Sequence, residues 1–228
     1  TDQTGLILSR YASKDKRIRI FLEETPGTAS SRNRGLKESD TQVIAFIDAD
    51  CVVPKDWLNT LVISYHEHKK SNPHLAGVGG RNIAPPTASR FIKAIEISLD
   101  SYIGSFSSVQ GRQYNKPKYV DSLATLNVLY DKSILEEVGL FDETLASEAE
   151  DADLNYRLRS NNYDLLFIPE SYVFHNMRST PLNWFKNMFR YGKGRARLLK
   201  RNQNMWNVGY ALPLLFALTM ATIFISPF

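Results

Sequence analysis

The sequence predicts an α/β fold, a central sheet of buried strands with helices packed on its faces, and three observations carry that prediction. Segments with helical apolar spacing alternate with short apolar runs in the order helix, strand, helix, strand, which implies mostly parallel strands joined by crossover helices. Val43 to Ile47 is a continuous apolar run between polar flanks, the pattern of a strand covered on both faces. The 228 residues, 43% hydrophobic and 23% charged, suffice for one full core and exclude a disordered chain.

Leu6 to Lys14 has apolar residues at helical spacing, and Arg17-Ile18-Arg19-Ile20-Phe21-Leu22 alternates like a strand. Thr25-Pro26-Gly27-Thr28 is a turn, and Ala29 to Glu38 reads as a helix carrying Arg32, Asn33 and Arg34 in its first turns. After the Val43 to Ile47 strand, Pro54 to His66 is helical, with Trp57, Leu58, Leu61, Val62 and Tyr65 on one face. Ala76 to Gly80 is a short strand, Phe91 to Tyr102 an amphipathic helix, and Ser105 to Lys118 a polar loop. Ser133 to Val138 is a short helix closed by Gly139, and Asp151 to Ser160 is another. Leu165 to Ile168 and Tyr172 to Phe174 supply two further strands.

Net charge is only +4, but Arg190, Lys193, Arg195, Arg197, Lys200 and Arg201 fall within twelve residues. With Trp184-Phe185, Met188-Phe189 and Tyr191 they form a cationic and apolar pattern suited to an interfacial helix on anionic lipid. A nucleic-acid patch competes, but the uncharged stretch Val208 to Ile225 beside it favours membrane. That stretch approaches the length of a span, although Pro213 interrupts it; a buried C-terminal helix is the alternative. The organisation expected is a catalytic domain over 1–180, a basic amphipathic segment over 181–205 and a hydrophobic helix over 206–228. The single cysteine, Cys51, excludes an internal disulfide and fits a reducing compartment. Thr1-Asp2-Gln3-Thr4 carries neither an initiator methionine nor a signal peptide, so the chain is expected to start inside a larger protein.

Chemistry concentrates in two acidic clusters, Asp48-Ala49-Asp50 at the exit of the Val43 strand and Ser147-Glu148-Ala149-Glu150-Asp151-Ala152-Asp153 further on. Residues two apart in a strand point the same way, so Asp48 and Asp50 can reach one divalent cation, Mg or Mn, whose shell substrate phosphates complete. The alternative makes one a helix cap and the other a solvated charge. In the second cluster Asp151, Leu154, Asn155 and Leu158 share a helix face, which turns Asp151 inward and suits it to general base work. Asp153 and Arg157 read as a solvated i, i+4 pair, and helix-dipole compensation could explain the whole cluster. His175, at the polar exit of Tyr172-Val173-Phe174, is placed to join a carboxylate-bound cation, although lone histidines are more often structural.

The segment from Thr1 to Arg201 resembles an inverting family 2 glycosyltransferase of the GT-A fold. The residues that carry the resemblance are Thr1-Asp2-Gln3-Thr4, Gly27-Thr28-Ala29-Ser30-Ser31-Arg32-Asn33-Arg34-Gly35, Ile44-Ala45-Phe46-Ile47-Asp48-Ala49-Asp50, Val138-Gly139-Leu140-Phe141-Asp142-Glu143 and Glu150-Asp151-Ala152-Asp153-Leu154-Asn155-Tyr156-Arg157-Leu158. It implies that Asp50 holds the metal on a nucleotide-diphosphate sugar, with Asp48 near ribose or metal, His175 as a further ligand and Asp151 as the base. It also implies donor contacts from Arg32 and Arg34, which an exposed helix face explains equally, and acceptor contacts from Asn127, Glu150 and the Asp142-Glu143 pair. The acceptor expected is a glycan or lipid-linked precursor in polysaccharide biosynthesis, met at the cytoplasmic side of a membrane, with no nucleic acid involved.

Two departures qualify the resemblance. Family members begin with an apolar strand and an Asp-Asp-Gly-Ser-like segment for the nucleotide base, and this chain starts after that point. Arg190-Tyr191-Gly192 stands where processive synthases carry Gln-x-x-Arg-Trp, so transfer of one sugar is expected. The rival enzyme class is a haloacid-dehalogenase-like phosphatase with Asp48 as nucleophile and Asp50 as acid/base, for which the partner motifs are not found. A non-catalytic membrane-surface module with a transferase-like fold is the other rival.

Overall fold

Among the described residues six strands share one sheet, β1 (Val43–Phe46), β2 (Cys51–Val52), β3 (Leu75–Ile83), β4 (Lys118–Val120), β5 (Val128–Asp131) and β6 (Asp164–His175). Their order in the computed structural model, which describes residues 2–101, 114–145, 149–177, 180–206, 215 and 219, is β1-β5-β3-β6-β2, with β4 also on β6. Only β3 and β6 run parallel, from Leu75 beside Asp164 to Ile83 beside Phe174, and the other pairings are antiparallel. The sheet is therefore mixed rather than mostly parallel among the described strands.

Alternation along the strands feeds two cores. Val128, Tyr130, Leu165 and Phe167 point to one face, where α2 (Thr28–Glu38), α5 (Lys132–Glu137) and α6 (Glu150–Ser160) bring Ala29, Leu36, Leu135, Leu154 and Leu158. Leu129, Leu166 and Ile168 point to the other, against Trp57, Leu61 and Tyr65 of α3 (Trp57–Ser71). Those three lie at i, i+4 and i+8, so Leu58 falls off the stripe and is exposed. A smaller cluster of Ile92, Ile95 and Met177 joins α4 (Arg90–Asp100) to Trp184 of α7 (Pro181–Arg201).

Several predicted elements change form. Arg17 to Leu22 is no strand; Ile18, Ile20, Phe21 and Leu22 are exposed, and Arg19 instead donates to the Glu38 backbone. The preceding helix, α1 (Thr4–Ala12), buries nothing, and among the described residues this alternation pairs with no strand. Val43 to Phe46 forms a strand, yet it is half-buried at the sheet edge instead of covered on both faces. The two strands expected near 165–174 are one strand, β6, interrupted by a bulge. The register runs from Gly79 beside Phe167 to Arg81 beside Tyr172, and the extra residues of β6 carry Pro169, which cannot donate a ladder hydrogen bond. A side chain on Gly80 would overlap the Ser171 backbone oxygen that this bulge pushes across, so only glycine fits there. β2, β4 and β5 hold two to four residues each, too few for periodicity to register.

The basic segment forms α7, capped by Thr180 and started by Pro181, with Leu182, Phe185 and Phe189 exposed along one side. Most of 105–118, Ser147, Glu148 and nearly all of 206–228 lie outside the described residues. Among the described residues no helix is long and apolar enough to cross a membrane.

Candidate active site

The four-residue link between β1 and β2 carries the chain from one sheet edge to the other, so Asp48 and Asp50 lie across the strand ends. They sit in a turn, not a strand, and the two-apart argument for a shared direction does not hold. Asp50 turns to β6, where its Oδ2 is 3.4 Å from His175 Nε2 and its carbonyl accepts from Asn176 N at 3.0 Å. The cross-strand pairing of Cys51 with His175 in β2 and β6 fixes this approach. Ligand atoms of Asp50, Cys51 and His175 all lie within 4.8 Å of one another. The Cys51 thiol, absent from the predicted ligands, is pushed up to about 12 by burial and by the charges of Asp50 and Asp48, and a soft sulfur suits Mg or Mn less well than the Asp50 carboxylate does.

A divalent cation fits this place. Asp50 offers a half-exposed carboxylate and His175 an imidazole, a donor set that suits Mn or Mg with remaining positions for phosphate oxygens. Among the described residues the buried Nδ1 of His175 has no hydrogen-bond partner, and Nε2, which faces Asp50, is the nitrogen that could meet an ion. Asp48 turns the other way, and its Oδ1 is 3.2 Å from Arg32 Nη2.

Arg32 rises from the first turns of α2, which starts after Gly27 at φ 148°. Its other nitrogen, Nη1, donates to Glu150 Oε1 at 2.6 Å, and its guanidinium lies 5.5 Å from the centre of the Phe141 ring. Glu150 also accepts from Thr28 Oγ1 at 2.8 Å and from the Ala149 amide at 3.2 Å. With its side chain 8% exposed, Glu150 is a buried carboxylate satisfied from within, and it does not face an acceptor as predicted.

Asp151 follows at the start of α6. Leu154, Asn155 and Leu158 are buried beneath it, as the shared helix face predicts. Burial and the neighbouring Glu150 charge raise its carboxyl above the ordinary value, while Arg32 and Arg195 pull it down. Tyr130 beneath it is itself raised by burial and by the Asp151 charge, and Tyr191 of α7 also lies within its field. A half-buried carboxylate with a raised proton affinity is the environment of a general base.

Other predicted residues have different duties. Asn127 is 1% exposed: its Oδ1 accepts from Trp57 Nε1 at 2.8 Å and Ser171 Oγ at 2.9 Å, and its Nδ2 donates to the Arg81 carbonyl at 2.9 Å. That amide ties the start of β5 to α3, β3 and β6, and its burial keeps it from an acceptor. Arg34 pairs with Glu38 at 3.0 Å and lies over Phe21, so it is not brought to Asp48 or Asp50. Arg34 lines a concavity of 390 Å³ with Glu23, Lys37, Glu136 and Glu143, which shares no residue with the two acidic groups above. Asp153 is buried, not solvated, and Arg157 both pairs with it at 2.7 Å and donates to the Val138 and Leu140 carbonyls. Leu140 is left-handed at φ 59°, and this clamp holds its turn. Asn33 grips the same loop through Phe141 N, Phe141 O and Glu143, while Asp142 pairs with Arg201 at 2.7 Å. Asp142 and Glu143 are thus committed to the scaffold.

A mixed sheet with a cation-competent carboxylate at its strand ends matches the GT-A fold of glycosyltransferases. The structure superposes on a mannosyltransferase from Pyrobaculum calidifontis, solved in complex with GDP-Man and Mn2+, with a TM-score of 0.63 at 14% identity, covering 100% of this chain and 64% of that one. Residues 1–138 match Glycosyl transferase family 2, and the chain belongs to that family. It is 28% identical over 176 residues to the pre-mycofactocin glycosyltransferase of Mycobacterium tuberculosis, covering 77% of this chain and 36% of the relative. It is 23% identical over 202 residues to the poly-beta-1,6-N-acetyl-D-glucosamine synthase of Staphylococcus epidermidis, covering 89% and 47%. The chain therefore spans less than half the length of the curated relatives it matches. Family membership sets aside the phosphatase alternative.

Proposed function

We propose that the protein transfers one sugar from a nucleoside-diphosphate sugar to a hydroxyl of a glycan or lipid-linked acceptor, with inversion at the anomeric carbon. The observation that carries the reading is the pair of unlike acidic sites, Asp50 beside His175 and the half-buried Asp151, whose neighbours in sequence Asp48 and Glu150 share the Arg32 guanidinium. Asp151 takes the proton of the acceptor hydroxyl. The acceptor oxygen then forms its bond to the anomeric carbon from the face opposite the breaking bond to the diphosphate. Asp50 and His175 would hold a divalent cation, which supplies positive charge to the departing diphosphate. The Mn2+ and GDP-Man of the structural neighbour support both donor class and metal.

The acceptor is presented at a membrane, with the catalytic domain on the cytoplasmic side. Support comes from α7, whose exposed Leu182, Phe185 and Phe189 are interleaved with Lys186, Lys193 and Lys200. Absence of the processive motif supports single-sugar transfer.

The test is a panel of sugar nucleotides incubated with Mn2+ and the full-length protein, read as nucleoside diphosphate release and product configuration. One donor is expected to turn over only with metal, and Asp151→Ala is expected to stop it. Full transfer by Asp151→Ala would remove the assigned base. Phe185→Glu with Phe189→Glu is expected to weaken sedimentation with phosphatidylglycerol vesicles, and unchanged binding would remove α7 as the lipid contact.

A further inference from the structure

The two acidic groups are not independent, because a single guanidinium touches both. Arg32 reaches Asp48 with Nη2 and Glu150 with Nη1, and its side chain is only 12% exposed. We propose that Arg32 is a positioning residue for the base: it holds the half-exposed Asp48 and the buried Glu150 in one fork and so sets the pose and charge environment of Asp151. The inference rests on the reading of Asp151 as the base, and extends it to a residue that touches neither donor nor acceptor in that scheme.

The geometry supports a fork and not a generic cation. A planar guanidinium can serve two carboxylates in fixed directions, which an ammonium cannot do. Glu150 is adjacent to Asp151 at the start of α6, and its other bonds, from Thr28 and the Ala149 amide, also come from the buried side. Removing Arg32 leaves a buried carboxylate with hydrogen bonds but no counter-charge, and the first turn of α6 must move or Glu150 must take up a proton. Either outcome reaches Asp151. The same fork joins α2, β1's exit and α6, three elements whose mutual placement defines the distance between the donor side and the base.

The groups that face Asp151 can be named from each element around it. Glu150 is on its own helix, Arg32 comes from α2, Arg195 and Tyr191 from α7, and Tyr130 from β5. Of these, Arg32 and Arg195 favour the ionised base and Glu150 opposes it. Arg32→Gln therefore shifts the acidic limb of kcat/KM to higher pH, Glu150→Gln shifts it lower, and the double variant falls between them. Arg32→Lys keeps the charge but loses the fork, so its limb stays near that of the parent while kcat falls by roughly 10- to 100-fold.

The experiment measures pH profiles for these four variants in the full-length protein, using the sugar nucleotide that turns over in the panel. In parallel, carboxyl 13C resonances of aspartate are titrated in each variant, with Asp151→Asn for assignment. An upward shift of the Asp151 titration in Arg32→Gln and a downward one in Glu150→Gln support the proposal. An Asp151 titration unmoved by Arg32→Gln, with only thermal stability lost, overturns it and leaves Arg32 a scaffold residue. Should no sugar nucleotide turn over, the transferase reading fails, while the carboxyl titration still decides the role of Arg32.

Discussion

Asn127→Ala separates a structural amide from a substrate contact, two roles that the sequence does not distinguish. The amide makes three buried hydrogen bonds, to Trp57 Nε1, Ser171 Oγ and the Arg81 carbonyl, at 2.8, 2.9 and 2.9 Å. Truncation leaves all three partners without a bond in a site that water does not reach. Each such group costs about 1–3 kcal/mol, and because the Ser171 hydroxyl can rotate to another acceptor, the sum is about 4 kcal/mol. Against a typical stability of roughly 5–15 kcal/mol this removes a large share. With a urea m-value of about 2–3 kcal/mol/M for a chain of this size, the midpoint falls by about 1.3–2 M with m unchanged. The assay is equilibrium urea unfolding followed by Trp fluorescence and circular dichroism on the same samples. A variant with the parental midpoint and a selective loss of acceptor affinity would refute the reasoning and return Asn127 to the acceptor site.

Asp151→Asn is expected to lower transfer by roughly 10²- to 10⁴-fold while raising thermal stability at pH 7. A carboxyl whose folded value is raised holds its proton more tightly when folded. Its contribution is full below the unfolded value and lost as pH rises through the folded one, so at pH 7 the ionised Asp151 opposes folding. A lower melting temperature for the variant at pH 7 would contradict this environment. Asp50→Ala and His175→Ala are each expected to weaken Mn2+ binding by upwards of roughly tenfold, read as free Mn2+ by electron paramagnetic resonance, while Cys51→Ser leaves it unchanged. Gly80→Ala is expected to cost about 1–3 kcal/mol in urea unfolding through overlap with the Ser171 backbone oxygen, and a neutral result would show that the β6 bulge can relax.

Much of the layout was legible because its signals are local. Helical periodicity marked α2, α3, α4 and α6 to within a few residues, since a helix buries one stripe of its own sequence. The inward direction of Asp151 followed from the same stripe through Leu154 and Leu158. The short strands β2, β4 and β5 were not legible, and the antiparallel pairings could not be, because strand direction depends on which distant segment supplies the partner. Arg17 to Leu22 shows the same limit in reverse, for alternation makes a strand only where another strand accepts its hydrogen bonds.

The sequence by itself determined the α/β class, the candidate acids Asp48, Asp50 and Asp151 and the family resemblance, because these rest on residue type and short-range spacing. Only the tertiary structure decided how those residues divide. Asp50 meets His175 through a two-residue strand pairing, whereas Asp48 meets Arg32 across sixteen positions and Glu150 meets Arg32 across 118. Asn127 passed from candidate contact to buried tie for the same reason. Whether a polar side chain is satisfied within the core or left to act on a substrate is fixed by partners far away in the chain, and their distance in space is set by folding alone.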